Sequence, residues 1–462
     1  MASTYLTRTL GAATNRKKFT ISFWMKRSGL GQQYVWQSFY SSNFGYRLGI
    51  YFDSTDEFVI KGVDGGSTHT LLKTNRKLRD TNGWYHCYFA FDSTQGTASD
   101  RVKIYINGVQ ETLFSTGTYP NQNTDFAVGV DGSINYLLQS GKYGGGSSNY
   151  FDGSMSHFHY VDGSVIAHTQ FGSTDSTTGE WKINTSPTIS SYGTAGFLIL
   201  KDGNSVTDQS GQGNDFTVGG GTLTKTEDCP SNVFATMNPL WKPMTDQTYS
   251  FDNANSRVYA NSNTDWLRSN ATMGAKTGKW WYEVYLGTAN NENRIGWDSI
   301  DHSNETNQNY YSGLNVSNGS SNGDVRGGIR GTSSYSPNAI QLPADGGGNA
   351  TWTQGDYLGM GIDLDNQTIT IHKNGSALAT NWSYAGYSGT SVLKSRGFFI
   401  GASANWYSGS GNQNIYDFNF GNGSFNGNNL TGTTYTDSNS QGVFKYQPPT
   451  NYLAWCTKNL NV

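Results

Sequence analysis

Two stretches, "VKIYINGVQ" at 102–110 and "ITIHKNGSA" at 369–377, nearly repeat each other. In the first, Val102, Ile104 and Ile106 alternate with Lys103 and Tyr105; in the second, Ile369 and Ile371 alternate with Thr370 and His372. Successive side chains leave a strand on opposite sides, so a period of two marks a strand with one face buried. Each run reaches Asn-Gly, the pair that most readily adopts the two positive φ angles of a two-residue hairpin turn. Both stretches therefore predict a strand, a tight turn and a returning strand.

The rest of the chain has the same character. Of 462 residues 58 are glycine, 14% are aromatic and only 14% are charged, the profile of an all-β protein rich in turns and the reverse of a disordered one. The net charge of −3 is spread without a basic stripe, which argues against nucleic acid as a partner. No apolar run approaches the ~20 residues of a membrane-spanning helix, so no membrane insertion is expected. The stretch "MASTYLTRTLGAATNRKK" (1–18) lacks the apolar core of a signal peptide. Cys87, Cys229 and Cys456 are odd in number and outside any C-x-x-C pattern, so they read as free thiols. Sequons such as Asn270-Ala-Thr and Asn374-Gly-Ser look extracellular, whereas the missing leader and disulfides look cytoplasmic. A virion protein, made in a bacterial cytoplasm and working outside the cell, satisfies both.

Three blocks are legible. In 1–165, "FTISFWMK" (19–26), "YRLGIYFD" (46–53), "EFVIKG" (57–62), "GWYHCYFAFD" (83–92), "DFAVGV" (125–130) and "YFDGSMSHFHYVDG" (150–163) read as strands. Turn signals recur roughly every ten residues, as in a sandwich. The block 166–250 is hydrophilic and turn-rich, with one clear strand at Gly196–Leu200. Its apolar anchors Phe234, Leu240 and Trp241 mark an ordered connector. In 251–462 strands are expected at 278–287, 293–298, 356–365, 397–404 and 415–421, and the apolar tail 444–460 is expected to pack back. The predicted fold class is all-β: two antiparallel, jelly-roll-like β-sandwich domains joined by an ordered, turn-rich connector.

Through "FTISFWMK", "WYHCYFAFD", "VKIYINGVQ" and "FDGSMSHFHYVD", the first block resembles a laminin-G-like, concanavalin-A-type sandwich. Through "TGKWWYEVYL", "GDYLGMGIDLDNQTITIHKNG" and "YDFNFGNGSF", the last resembles a SPRY domain. The middle segment and "PPTNYLAWCTKNL" resemble stretches of surface proteins of tailed, notably marine, bacteriophages. The resemblance implies a virion surface protein, and shared architecture explains the repeated hairpin.

No constellation for catalysis stands out. The glutamates Glu57, Glu111, Glu180, Glu227, Glu283, Glu292 and Glu305 lack the E-x-D-x-x-E spacing of sandwich glucanases, and Glu283 reads as structural. H-E-x-x-H, G-x-S-x-G and P-loop motifs are missing. His157 and His159, two apart, would share a strand face and read as surface or satisfied core. No cofactor is expected. Calcium is the alternative, at Asp125, Asp131 and Asp162 or in "DQSGQGND" (208–215), where Asx turns are the competing reading.

What remains is aromatic. Tyrosine and tryptophan supply rigid, amphipathic contact area at low entropy cost. Candidate loop aromatics are Tyr34, Trp36, Tyr40, Tyr136 and Tyr143 in the first block. In the last they are Tyr310, Tyr311, Tyr335, Trp382, Tyr384, Tyr387, Trp406 and Tyr407, which we take as the ligand-binding set. The function expected is a non-enzymatic tail or capsid fibre protein that contacts a host-surface glycan or protein receptor. Its other partners would be virion proteins and further copies of itself, in a trimer. The last block would project outward while the first docks on the particle. The alternatives are a decoration or adaptor protein without a receptor and a polysaccharide-degrading enzyme.

Overall fold

The structure, a computed structural model, describes residues 4–40, 43–130, 133–137, 149–241, 249–260, 267–288, 293–299, 313–314, 328–331, 339–340, 350–351, 354–383, 399–405 and 414–460. The chain divides into two compact units, Met1–Thr224 and Lys225–Val462. Residues 166–224 fall within the first unit and residue 225 onward within the second. Both units are built of antiparallel sheets, with one short parallel pair in the second.

In the first unit an eight-stranded sheet faces a six-stranded one. From Lys18–Arg27, in the six-stranded sheet, Phe19, Ile21, Phe23 and Met25 point into the core, as their spacing predicts. Tyr85–Asp92 and Val102–Ile106 add Phe89, Phe91, Ile104 and Ile106. The facing sheet contributes Trp36, Leu48, Ile50, Phe58, Ile60 and Leu72. Each such side chain contributes about 1.5–3 kcal/mol by leaving water. Residues 125–130, expected as a strand, are irregular, yet Phe126 and Val128 are fully buried in this core. In 166–224, the three- and four-residue strands Gly172–Thr174, Trp181–Ile183 and Thr217–Gly220 accompany the predicted one, found at Phe197–Ile199.

The second unit has its own core, in which Tyr282, Val284 and Leu286 of Lys279–Thr288 meet Met360, Ile362, Ile369, Ile371 and Phe418. On the opposite face of that sheet the ring of Trp281 lies across Gly359 and Gly361, where any Cβ would overlap it. The tail returns over this face as expected. Phe444, Tyr452, Ala454 and Cys456 pack on Trp281, and Leu453–Ala454 pairs in parallel with Lys279–Thr288.

The two hairpins share one construction. Asn107 and Gly108 have φ of 50° and 76°, and Asn374 and Gly375 have 48° and 84°. The Asn107 backbone N–H donates to His86 O at 2.9 Å, while its side-chain Oδ1 accepts the His86 N–H at 2.8 Å. Asn374 does the same with Tyr357, at 2.8 and 2.9 Å. The asparagine thus extends the ladder by one rung, using its amide as a substitute backbone. Each glycine also lies beneath a later aromatic ring: Trp181 over Gly108 and Tyr446 over Gly375.

Replacing Gly375 with Val should therefore destabilise the second unit by about 2 kcal/mol or more, since it combines a strained positive φ with a ring overlap. Urea unfolding followed by tryptophan fluorescence checks this. An unchanged midpoint would show that the turn tolerates a β-branched residue.

Candidate functional site

A β-bulge creates the best-defined surface feature of the first unit. Along Gln33–Tyr40 the register jumps between Tyr34, opposite Tyr51, and Trp36, opposite Ile50. Val35 and Trp36 consequently both enter the core, and Tyr34 and Gln37 emerge on the outer face three positions apart. On the neighbouring strand Asn43–Phe52, Leu48, Ile50 and Phe52 point inward, which turns Arg47, Gly49 and Tyr51 outward. Tyr34 and Tyr51 stack at 4.6 Å between ring centroids with 15° between planes. Gly49 is the floor: a Cβ there would meet Gln37, Tyr34 and Tyr51 together at 3.9 Å. Lys61 faces Gly49 from the next strand. The result is a shallow trough with a tyrosine pair at one end, an amide in the middle and two cationic side chains alongside.

Its electrostatics follow from partial burial. Burial pushes the Tyr51 hydroxyl up to about 12, helped by Tyr34 and Asp53, and lowers the Arg47 guanidinium against the pull of the two tyrosines. Despite its own desolvation, Asp53 is held below the usual carboxylate range. It accepts from Lys73 Nζ at 2.9 Å, from the Thr55 N–H and hydroxyl at 2.9 and 2.8 Å, and from the Glu57 N–H at 3.1 Å. Gln37 is only 2% exposed, and its Oε1 has no hydrogen-bond partner.

The outer face of the six-stranded sheet is covered instead. Residues 163–192 cross it, with Ile166, Phe171 and Ile189 packed on Tyr88 and Ala90. Beneath lie histidines. His86 Nδ1 accepts from Trp181 Nε1, a donor only, at 3.0 Å, so its proton sits on Nε2 and is donated to Ser22 Oγ at 2.9 Å. In this tautomer His86 cannot serve as a base toward the serine. His159 bonds to the Tyr192 hydroxyl at 2.8 Å and His157 to Ser156 Oγ at 2.7 Å. The expected shared face of His157 and His159 is broken by a second bulge, since the register jumps between Ser156 and His159 and His157 takes a φ of 50°.

Trp36 is fully buried, and Tyr40 is half-buried at its strand end. Tyr136 lies on the strand Ser133–Leu137 opposite Gln37. Trp382, expected on a loop, lies on the strand Ser376–Ser383 opposite Ile369. Tyr143, Tyr310, Tyr311, Tyr335, Tyr384, Tyr387, Trp406, Tyr407 and Asp131 lie outside the described residues. Asp162 accepts the N–H groups of Thr14, Asn15 and Ala195 at 2.6, 3.2 and 3.2 Å. Asp208 accepts those of Leu198, Ser210 and Asn214, which makes 208–215 a carboxylate-centred turn. No group of three or more His, Cys, Asp or Glu side chains placed to hold a metal ion occurs among the described residues. The three cysteines are free. Glu283 is buried and accepts from the N–H groups of Lys445 and Tyr446 and from Asn419; burial raises its carboxyl to about 7 against those donors. It anchors the tail.

Sequence reasoning named Tyr34 but missed Gln37, Arg47, Tyr51 and Lys61. The signal was present in "YRLGIYFD", whose alternation sets Arg47, Gly49 and Tyr51 opposite the core residues.

Residues 2–168, which include the whole trough, match the family model described as the concanavalin A-like lectin/glucanases superfamily. No curated protein matches the chain. Among solved structures it is similar to the SPRY domain of human HERC1, with 14% identity over 37% of this chain and 92% of that one and a TM-score of 0.26. Domains LG4-5 of the mouse laminin alpha1 chain are 8% identical, with 90% of this chain and 85% of that one covered and a TM-score of 0.30. The CBM40 of the Ruminococcus gnavus IT-sialidase is 14% identical, with 36% of this chain and 93% of that one covered and a TM-score of 0.27.

The covered histidines set an acid limit. Burial lowers His86 from the ordinary 6.5 to about 3 and His157 to about 4, and places His159 well below its usual range. In the unfolded chain these rings take up protons near pH 6.5, so their contribution to stability is whole above that pH and is lost as pH falls toward 4. Thermal melting of the first unit should begin to fall below about pH 6.5, before ordinary carboxylates titrate near 4. A flat profile between pH 7 and 5 would mean that the rings are solvated.

Proposed function

We propose that this chain is a non-enzymatic glycan-binding protein and that the trough of the first unit is its binding surface. The observation that carries the reading is the stacked Tyr34–Tyr51 pair, on a unit matching a lectin and glucanase family model. A sugar ring offers its apolar face to an aromatic platform of this kind. Asp53, the carboxylate that acts on Tyr51, is already engaged by Lys73 and two backbone N–H groups, and so is unsuited to act as a glycosidic acid or base. The resemblance to phage surface proteins makes a bacterial envelope glycan the natural target, with the chain part of a homo-oligomeric virion fibre. In that setting the first unit meets the host.

Binding of the full chain to host-envelope polysaccharide, measured by calorimetry, tests this. Tyr34→Ala with Tyr51→Ala should lower affinity at least tenfold while the melting temperature of the second unit is unchanged. Retained affinity would remove the trough from the reading. The protein should also release no reducing ends from the bound polysaccharide; sustained release, lost on substituting one carboxylate pair, would establish an enzyme instead.

A further inference from the structure

The outer face of the larger sheet of the second unit carries an aromatic cluster that the tail completes. Tyr285 of Lys279–Thr288 lies opposite Tyr357 of Tyr357–Asp363, with ring centroids 4.8 Å apart. The buried Phe425 ring lies 5.2 Å from Tyr357, and Tyr446 meets Tyr357 edge-on at 6.0 Å. Lys445 brings its ammonium to 4.7 Å from the Tyr357 ring centre and 5.7 Å from that of Tyr446. The buried Glu283 carboxylate fixes both tail residues, since it accepts the N–H groups of Lys445 and Tyr446 at 2.9 and 2.8 Å. The Tyr446 ring is seated on Gly375 as well. The arrangement is thus set by the fold before any ligand arrives.

The cluster holds unused donors. The Lys445 ammonium makes no hydrogen bond or ion pair among the described residues, and neither do the hydroxyls of Tyr285, Tyr357 and Tyr446. None of these four polar atoms is sealed from solvent, and all four side chains are half-buried. Burial first, then neighbouring tyrosines and carboxylates, raises the Tyr357 and Tyr446 hydroxyls above their ordinary range, so both stay O–H donors at neutral pH. The carboxylates concerned are already engaged. Glu283 holds the tail N–H groups, Asp417 accepts from Arg257 at 2.8 and 2.7 Å, and Asp356 pairs with Lys373 at 2.9 Å. An ammonium and phenol O–H groups therefore face solvent side by side with no acceptor supplied by the described residues.

We infer that this cluster binds a carboxylate carried on an apolar body, either a free organic acid or the end of a peptide chain. The ammonium meets the carboxylate, the phenols donate to its oxygens, and the tyrosine rings bear the apolar part. A single ammonium matches a single negative charge, whereas a phosphate of charge about −2 would keep roughly half of it unanswered. The site is on the second unit and is separate from the trough.

The test uses the full chain and ligand-observed NMR titrations with benzoate, its neutral isostere benzamide, and the peptide Gly-Gly-Phe with a free or an amidated C-terminus. Each acid should bind about tenfold more tightly than its neutral counterpart. Lys445→Met should erase that preference. Tyr357→Phe with Tyr446→Phe keeps the rings and should weaken binding about fivefold with the melting temperature unchanged. Tighter binding of the free peptide than of benzoate would support the inference with a chain end as the ligand, and the reverse would support it with a free acid. Equal binding of acids and neutral probes, a preference that survives Lys445→Met, or no binding at all would overturn it. Tyr34→Ala with Tyr51→Ala should leave benzoate binding intact, so that the glycan reading and this one fail separately; loss of benzoate binding in that variant would put the acid in the trough and overturn the inference.

Discussion

A carboxylate taken out of water must be met by donors from the protein, and both units use that requirement to order chain that no sheet holds. Asp56 is the clearest case. It accepts from Arg27 at 3.1 Å, from Arg79 at 2.9 Å and from the Gly31 N–H at 2.6 Å, while the Arg27 guanidinium stacks 3.8 Å above the Phe52 ring. One side chain thereby ties a strand of the six-stranded sheet to a turn of the eight-stranded one. Asp162 gathers the chain around Thr14 and Ala195, and Asp208 closes its own turn. In the second unit Asp437 accepts from Asn439, Gln441, Ala454 and Asn459, and Glu283 fixes the tail at Lys445 and Tyr446. Removing one such acid leaves its donors buried and unanswered, which is why these positions should be far less tolerant than their loop setting implies.

The same economy separates the two outer faces of the first sandwich. One is roofed by residues 163–192, whose Trp181 and Tyr192 hydrogen-bond to His86 and His159 below. The other carries a tyrosine pair and cations around Gly49, with the Gln37 amide buried among them. The bulge at Val35 decides the second arrangement. Under strict alternation Tyr34 and Trp36 would share a side, and the tyrosine pair would lack the neighbouring Gln37.

The all-β class, the sandwich core and the two hairpins could be read from the sequence because alternation and Asn-Gly are local signals. Phe19, Ile21, Phe23 and Met25 face inward as their spacing requires, and Asn107 and Asn374 turn as their chemistry requires. The failures have physical causes as well. A bulge shifts side chains between faces without leaving a mark in composition, which hid the fate of Trp36 and the separation of His157 from His159. Three-residue strands such as Gly172–Thr174 are too short to show a period. Residues 125–130 alternate like a strand but are held by tertiary contacts of Phe126 and Val128. Arg47 and Lys61 escaped notice because cationic residues on a strand are usually just its wet face.

The rings that lie on the hairpin glycines also bear on synthesis. Trp181 reaches Gly108, and Tyr446 reaches Gly375, only after a long stretch of later chain has been made. The opening strand Tyr5–Thr9 pairs with Ser133–Leu137 and Thr217–Gly220, and Lys279–Thr288 waits for Leu453–Ala454. Such distant pairings must pay loop-closure entropy before they return any contact energy, which slows folding. A nascent chain emerging from the ribosome therefore holds each sandwich open, with unpaired strand edges exposed, until its last segment arrives. Each unit closes late and as a whole, and chaperone occupancy during translation should peak just before residues 220 and 456 emerge.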